Sequence, residues 1–289
     1  MILLEVAFLI IFWTWVACAA LFLQNTLLPR LPQTLTLERI GLTGDTIRFR
    51  ATDRLELEGW KIAGHPEKPW LILCHGLGSN RSDLLEIAAG LHHAGFNLFL
   101  FDFRGHGGSR GRSTSFGLTE QRDLEGALAY LGQQIDIPAK PYGIYGISMG
   151  GSVALMVAAR DERLGAVAVD SPYTNLASSI RHHLWLMHPW MPPVPFHWFI
   201  CLTYRLRFGA WPQSLSPQAA VARLSPRPLL LIQGGADPRM PPAETRLLFE
   251  QSSKPKELWV IPNAGHLEGY ARHPSAYLTR LITFFQSNL

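Results

Sequence analysis

Tyr142-Gly143-Ile144-Tyr145-Gly146-Ile147-Ser148-Met149-Gly150-Gly151 decides the reading of this chain. Tyr142–Ile147 reads as an apolar strand, and Met149–Arg160, rich in Ala, Val and Met, reads as a buried helix. A serine therefore stands at a strand–helix junction with no connecting loop. Gly146 and Gly150 let the backbone turn sharply and let helix pack close to strand. A strand–turn–helix G-x-S-x-G raises a hydroxyl clear of its surroundings, as nucleophilic acyl transfer requires. A second match, Gly107-Gly108-Ser109-Arg110-Gly111, follows its strand by several polar residues and leads into Arg112-Ser113-Thr114-Ser115, which is no helix start. Ser109 thus reads as a loop residue and Ser148 as the nucleophile.

The flanking segments repeat the same alternation. Ile47–Ala51 and Leu55–Ile62 read as strands joined by Thr52-Asp53, and Trp70–Cys74, Asn97–Phe101, Ala166–Val169, Pro228–Gln233 and Glu257–Ile261 as further strands. Helices are expected from about Arg81 to Ala94 with Asn80 as cap, from Thr119 as cap to Gln134, from Pro242 to Gln251, and from Leu267 to Phe285. Strands alternating with crossover helices predict an α/β fold with a mostly parallel sheet covered on both faces.

The base for Ser148 should be a histidine late in the chain, after the acid. His266, in Asn263-Ala264-Gly265-His266, lies between the last strand and the last helix, at the carboxyl edge where parallel sheets bind ligands. His106 sits in a Gly-rich loop and is a lesser competitor. His92, His93, His182 and His183 lack metal-ligand spacing and read as solvated or packed, and His273 as helix surface. The acid has two candidates at strand ends: Asp237, in Gly235-Ala236-Asp237-Pro238, is preferred, and Asp170, before Ser171-Pro172-Tyr173, is the alternative that would otherwise order the segment after it. The oxyanion donors should be the backbone N–H of Met149 and that of Leu77, in the loop His75-Gly76-Leu77-Gly78 after an earlier strand. His75 would shape that loop, and Asp102 would hold Arg104-Gly105-His106-Gly107. This chemistry calls for no metal and no cofactor.

As an ordered set these motifs resemble the α/β-hydrolase superfamily, over about Thr34 to Leu289. Within it the chain resembles the membrane-anchored serine hydrolases of the ABHD and Bem46 groups, which also begin with a hydrophobic helix. The resemblance implies esterase, lipase or thioesterase activity, with Ser148, Asp237 and His266 as the triad. A peptidase or amidase on the same triad is the alternative enzyme, and an inactive binding scaffold the alternative of another class.

The first thirty residues are a separate element. Val6–Leu23 (VAFLIIFWTWVACAALFL) has Thr14 as its one clearly polar member and reaches about 27 Å as a helix, close to a thin hydrocarbon layer. A cleaved signal peptide normally opens with a positive segment, whereas Glu5 is the only charged side chain before Arg30. An uncleaved single-pass anchor with its linker is therefore expected over residues 1–33, with Leu27–Gln33 leaving the membrane and the hydrolase domain over 34–289. Arg30 and Arg39 follow the helix and nothing basic precedes it, so the positive-inside rule places the domain on the cytoplasmic side.

Composition narrows the rest. Of 289 residues 47% are hydrophobic and 17% charged, which excludes disorder as the main state. Three scattered cysteines exclude a disulfide framework. A net charge of +4 without any basic run gives nucleic acid no footing. One stretch, about 172–222, breaks the strand–helix rhythm: it holds Trp185, Trp190, Trp198 and Trp211, with Arg181, Arg205 and Arg207 but no acidic residue. An insertion of this length is expected to be a lid. Its tryptophans, with Leu184, Leu186, Phe196 and Phe199, predict an apolar, net basic cover suited to an acyl ester or thioester from or near a bilayer.

Overall fold

The computed structural model describes residues 2–27, 30–134, 141–190 and 193–289. Leu28 and Pro29 of the expected linker, and Met191 and Pro192 of the expected lid, lie outside the described residues. The chain opens with α1 (Ile2–Thr26) and a hairpin of β1 (Asp45–Arg50) and β2 (Glu56–Ile62). There follow β3 (Trp70–Cys74), α2 (Leu85–His93), β4 (Asn97–Phe101), α3 (Glu120–Gly132), β5 (Tyr142–Ile147), α4 (Met149–Ala158) and β6 (Leu164–Asp170). Three helices intervene before the sheet resumes: α5 (Leu176–Met187), α6 (Pro193–Phe208) and α7 (Pro217–Val221). The chain ends with β7 (Leu229–Gly234), α8 (Pro242–Gln251), β8 (Lys256–Ile261), α9 (Gly269–Arg272) and α10 (Pro274–Asn288).

The eight strands form one sheet in the order β1-β2-β4-β3-β5-β6-β7-β8. β2 pairs antiparallel with both β1 and β4, and every pairing from β4 to β8 is parallel. Along β3 the side chains divide by alternation. Ile72 and Cys74 join the apolar layer beneath α3, α4 and α8, while Leu71 and Leu73 join the layer beneath α2 and α10. Two buried faces explain why these strands read as continuous apolar runs.

The order reverses at β3, whose neighbours are β4 and β5. Such a reversal opens a crevice at the carboxyl ends of the strands. Cys74 stands beside Gly146 and Phe101, Ile147 beside Asp170, and Gly234 beside Ile261. The loops leaving β3, β4, β5, β6, β7 and β8 therefore rise from one edge.

Three expectations change. Residues 267–285 are two helices, because Pro274 cannot continue α9 and instead starts α10 at its first position, with His273 as its flanking residue. The segment after Asn80 begins as a 3₁₀ turn, Arg81–Leu84, in which the Asn80 side chain accepts from the Ser82 amide. Thr119 makes no side-chain cap to α3; the Glu120 carboxylate instead accepts the amides of Ser115 and Gly117 in the preceding loop.

The 25-residue α1 is apolar on all sides at its start but docks at its end. Phe22 is buried in a third apolar cluster with Tyr173, Leu176 and Tyr204. Trp15 donates from Nε1 to Thr203 of α6 at 3.1 Å, and the carbonyl of buried Thr26 accepts from the Thr114 amide at 2.9 Å. Burying a phenylalanine contributes about 1.5–3 kcal/mol, enough to hold the end of a helix against its neighbour.

Candidate active site

Ser148 has φ 50° and ψ −119°, a positive φ that a side-chain-bearing residue adopts only when its surroundings impose it. The imposing contacts are visible. Its amide donates to the Asp170 carbonyl at 2.8 Å, and its own carbonyl accepts from the Ser152 amide at 3.0 Å. At Gly150 a Cβ would lie 2.4 Å from the carbonyl oxygens of Cys74 and His75, so no larger residue fits that crossing.

The loop after β8 brings His266 over the sheet edge. Its Nε2 lies 3.2 Å from Ser148 Oγ, and its Nδ1 lies 2.7 Å from Asp237 Oδ2. This pattern makes Nδ1 the donor to the carboxylate and leaves Nε2 free to accept from the hydroxyl. Asp237 is buried, and its Oδ1 accepts from the amides of Arg239 and Met240 at 2.8 and 2.9 Å. Burial acts to raise this carboxyl, but the hydrogen bonds from His266 and the two amides outweigh it and hold it below the usual range.

Asp170 is placed differently. Its carboxylate accepts from Tyr277 Oη at 2.6 Å and from Ser171 Oγ at 2.8 Å, and Tyr277 also meets Tyr145 at 2.7 Å. Burial pushes Asp170 up to about 6, against the Tyr277 hydrogen bond. The structure thus brings Asp237, and not Asp170, to the imidazole.

Gly76 packs directly on Ser148: a Cβ there would lie 3.4 Å from the Ser148 Cβ. This puts the Leu77 loop beside the hydroxyl, and Met149 opens α4, where the first amides have no intrahelical acceptor. Two buried imidazoles set that loop. His75 accepts the Phe103 amide at Nε2 (3.0 Å), with Nδ1 on the Gly76 carbonyl (2.7 Å). His106 accepts the Gly78 amide at Nε2 (3.2 Å), with Nδ1 on the Arg104 carbonyl (2.8 Å). Both bonding patterns require neutral rings. Burial, then the neighbouring His106, pushes His75 down to about 3, and burial lowers His106 as well. Asp102 holds the adjoining loop through the Gly108 amide at 2.8 Å and pairs with the Arg81 guanidinium. Ser109 is buried, donating to the Asp102 carbonyl at 2.5 Å and accepting from Glu58.

A cavity of about 660 Å³ includes Ser148 and His266 in its wall, within the range of small-molecule sites of about 300–1,000 Å³. Leu176, Ile180, Leu184 and Phe196 of the insertion face it, and so does His183, which sequence alone reads as solvated or packed. So do Cys18, Leu21, Phe22 and Asn25 of α1, for which no motif in the sequence gives a signal. Three of the insertion's four tryptophans, Trp185, Trp190 and Trp198, are more than half exposed and do not pack on the core.

A sharp strand-to-helix turn bearing a serine, under a histidine–carboxylate pair and at the switch point of a mostly parallel eight-stranded sheet, is the architecture of the α/β hydrolases. The chain belongs to the alpha/beta hydrolase family, which it matches over residues 71–279. It is 28% identical to the uncharacterized protein YfhR of Escherichia coli over 86% of this chain and 82% of that one. It is 30% identical to the uncharacterized protein Rv2307c of Mycobacterium tuberculosis, over 77% and 72% respectively. The fold is also that of the Pyrococcus furiosus esterase Pf2001, at a TM-score of 0.75 and 24% identity, covering 90% of this chain and 99% of the other.

Proposed function

We propose that the protein is a serine hydrolase cleaving carboxylic esters or thioesters of apolar acyl groups. The observation that carries this reading is the relay from Asp237 through His266 to Ser148, with spacings of 2.7 and 3.2 Å, in the wall of a mainly apolar cavity. Ser148 Oγ attacks the acyl carbonyl as His266 Nε2 takes its proton. Asp237 fixes the imidazole tautomer and stabilises the imidazolium. The amides of Leu77 and Met149 bind the oxyanion of the tetrahedral intermediate. The imidazolium then protonates the leaving oxygen or sulfur as its bond to the acyl carbon breaks, and the alcohol or thiol departs with the acyl group left on Ser148. Water, deprotonated by His266, attacks that acyl-enzyme, and the serine is released with the carboxylic acid.

In the same reading α1 anchors the chain in a membrane: Leu4–Thr26 is long and apolar enough to cross one by length and composition. The helices between β6 and β7 act as the lid. The esterase activity named for the Pyrococcus furiosus protein fits this assignment. The test is covalent labelling of the full chain by a fluorophosphonate, with the modified peptide located by mass spectrometry, followed by turnover on acyl esters, thioesters and peptides. Labelling at Ser148 that is lost in Ser148→Ala supports the reading. Failure of Ser148 to label, with no turnover of any ester or thioester, overturns it.

A further inference from the structure

The membrane-type helix and the cavity are not separate features. Cys18, Leu21, Phe22 and Asn25 lie within the apolar span Leu4–Thr26, and the same four residues line the cavity that reaches Ser148. Trp15, Phe22 and Thr26 recur on one side of α1 and tie it to α6 and the adjoining loops.

That docking limits how the helix can sit in a bilayer. Before the docked half, the described side chains from Leu4 to Trp13 are exposed, about 15 Å of helix, roughly half of a 30 Å hydrocarbon layer. For the span to be used in full, the elements packed on its second half must enter the lipid beside it. Those elements carry the side chains to do so. Met187 of α5 is 68% exposed, Leu206 of α6 is 66% exposed, and Trp185, Trp190 and Trp198 are open to the surroundings as well. Exposed tryptophans with Arg181, Arg205 and Arg207 and no acidic residue across 172–222 have the composition of a membrane interface.

We infer that α1 and the α5–α6 insertion form one lipid-immersed unit, and that the groove they share takes the acyl chain of a bilayer-resident ester sideways from the membrane to Ser148. This rests on the serine-hydrolase reading and adds to it the substrate's source and the residues that gauge its acyl chain. Leu21 and Cys18 form the α1 side of the acyl groove, and Leu184 and Phe196 face the same cavity from the insertion.

The test uses the full chain, with p-nitrophenyl acetate and p-nitrophenyl palmitate as substrates. Leu21 is 61% exposed, so Leu21→Trp leaves the fold intact while narrowing the groove. It should cut the palmitate-to-acetate ratio of kcat/KM at least tenfold. Ile10→Trp, on the free half of α1, should keep the parent ratio. A chemical arm uses Cys18, which unlike Cys74 and Cys201 is not buried. N-phenylmaleimide should lower palmitate turnover at least tenfold in the parent chain and have no effect in Cys18→Ala. With the chain reconstituted in phosphatidylcholine vesicles, hydrolysis of 4-methylumbelliferyl palmitate should follow its mole fraction in the bilayer and not its bulk concentration. An unchanged ratio in Leu21→Trp and after alkylation, or a rate set by bulk concentration, overturns the inference. Fluorophosphonate labelling of Ser148 in the same preparations separates the two failures: its absence indicts the serine assignment, its presence with an unchanged ratio indicts the α1 groove.

Discussion

His266 Nε2 and Ser148 Oγ lie 3.2 Å apart although 118 residues separate them in the chain. One residue comes from the strained turn after β5 and the other from the loop after β8, and the parallel sheet delivers both to the same edge. The proposed chemistry stands on this approach and on the Asp237 carboxylate behind it.

Removing the hydroxyl tests the approach directly. Ser148→Ala should lower kcat/KM on a short p-nitrophenyl ester at least ~10³-fold. Ser148→Gly should be equally inactive but more stable than Ser148→Ala by about 1 kcal/mol, because glycine relieves the positive φ by more than its added unfolded-state entropy costs. Urea unfolding of the two variants reads the difference, and a Ser148→Ala variant more stable than Ser148→Gly would show that the turn is unstrained.

The two candidate acids separate by activity. Asp237→Asn should reduce kcat ~10³- to 10⁴-fold by losing the acceptor that fixes the His266 tautomer. Asp170→Asn should cost less than ~10-fold. Comparable losses in both variants would move the orienting role to Asp170.

Asp170 separates from Asp237 in its pH dependence as well. With its carboxyl raised to about 6, the folded chain holds this proton more tightly than the unfolded chain. Its contribution to stability is therefore fully present below the unfolded value of about 3.9 and is lost as pH rises through about 6. Unfolding of the parent and Asp170→Asn between pH 4 and 7 should show the parent losing on the order of 2–3 kcal/mol relative to the variant. Asp237 has the opposite sign: held below its ordinary value, it stabilises above about 3.9 and ceases to do so only as pH falls through its folded value. Parallel curves for parent and Asp170→Asn would contradict the burial argument.

His106 should act through the oxyanion loop and not through the proton relay. His106→Phe removes the acceptor of the Gly78 amide and should lower kcat ~10- to 10²-fold with KM little changed. A rise in KM at constant kcat would assign it to substrate binding instead.

The N-terminal helix makes a biochemical prediction independent of catalysis. The chain should retain α1 and stay in the membrane pellet after alkaline carbonate washing. A soluble chain whose N-terminus falls near Ala20 would identify a cleaved signal segment.

Much of this arrangement is legible in the linear chain because it is local. The apolar runs at Trp70–Cys74, Asn97–Phe101 and Tyr142–Ile147 coincide with β3, β4 and β5, since strands buried on both faces need unbroken apolar sequence. Gly146-Ile147-Ser148-Met149-Gly150 announces its turn because only glycine at 146 and 150 permits that crossing, and Pro274 marks the break before α10. The tertiary structure settled which carboxylate meets His266, because Asp170 closes β6 and Asp237 lies in the loop after β7, both at the edge where the imidazole arrives. It alone turned His106 onto the Gly78 amide and set Cys18 and Leu21 in the cavity wall. Those are contacts between segments far apart in the chain, chosen by packing and by the need of each buried polar group for a partner, and neither periodicity nor spacing carries that information.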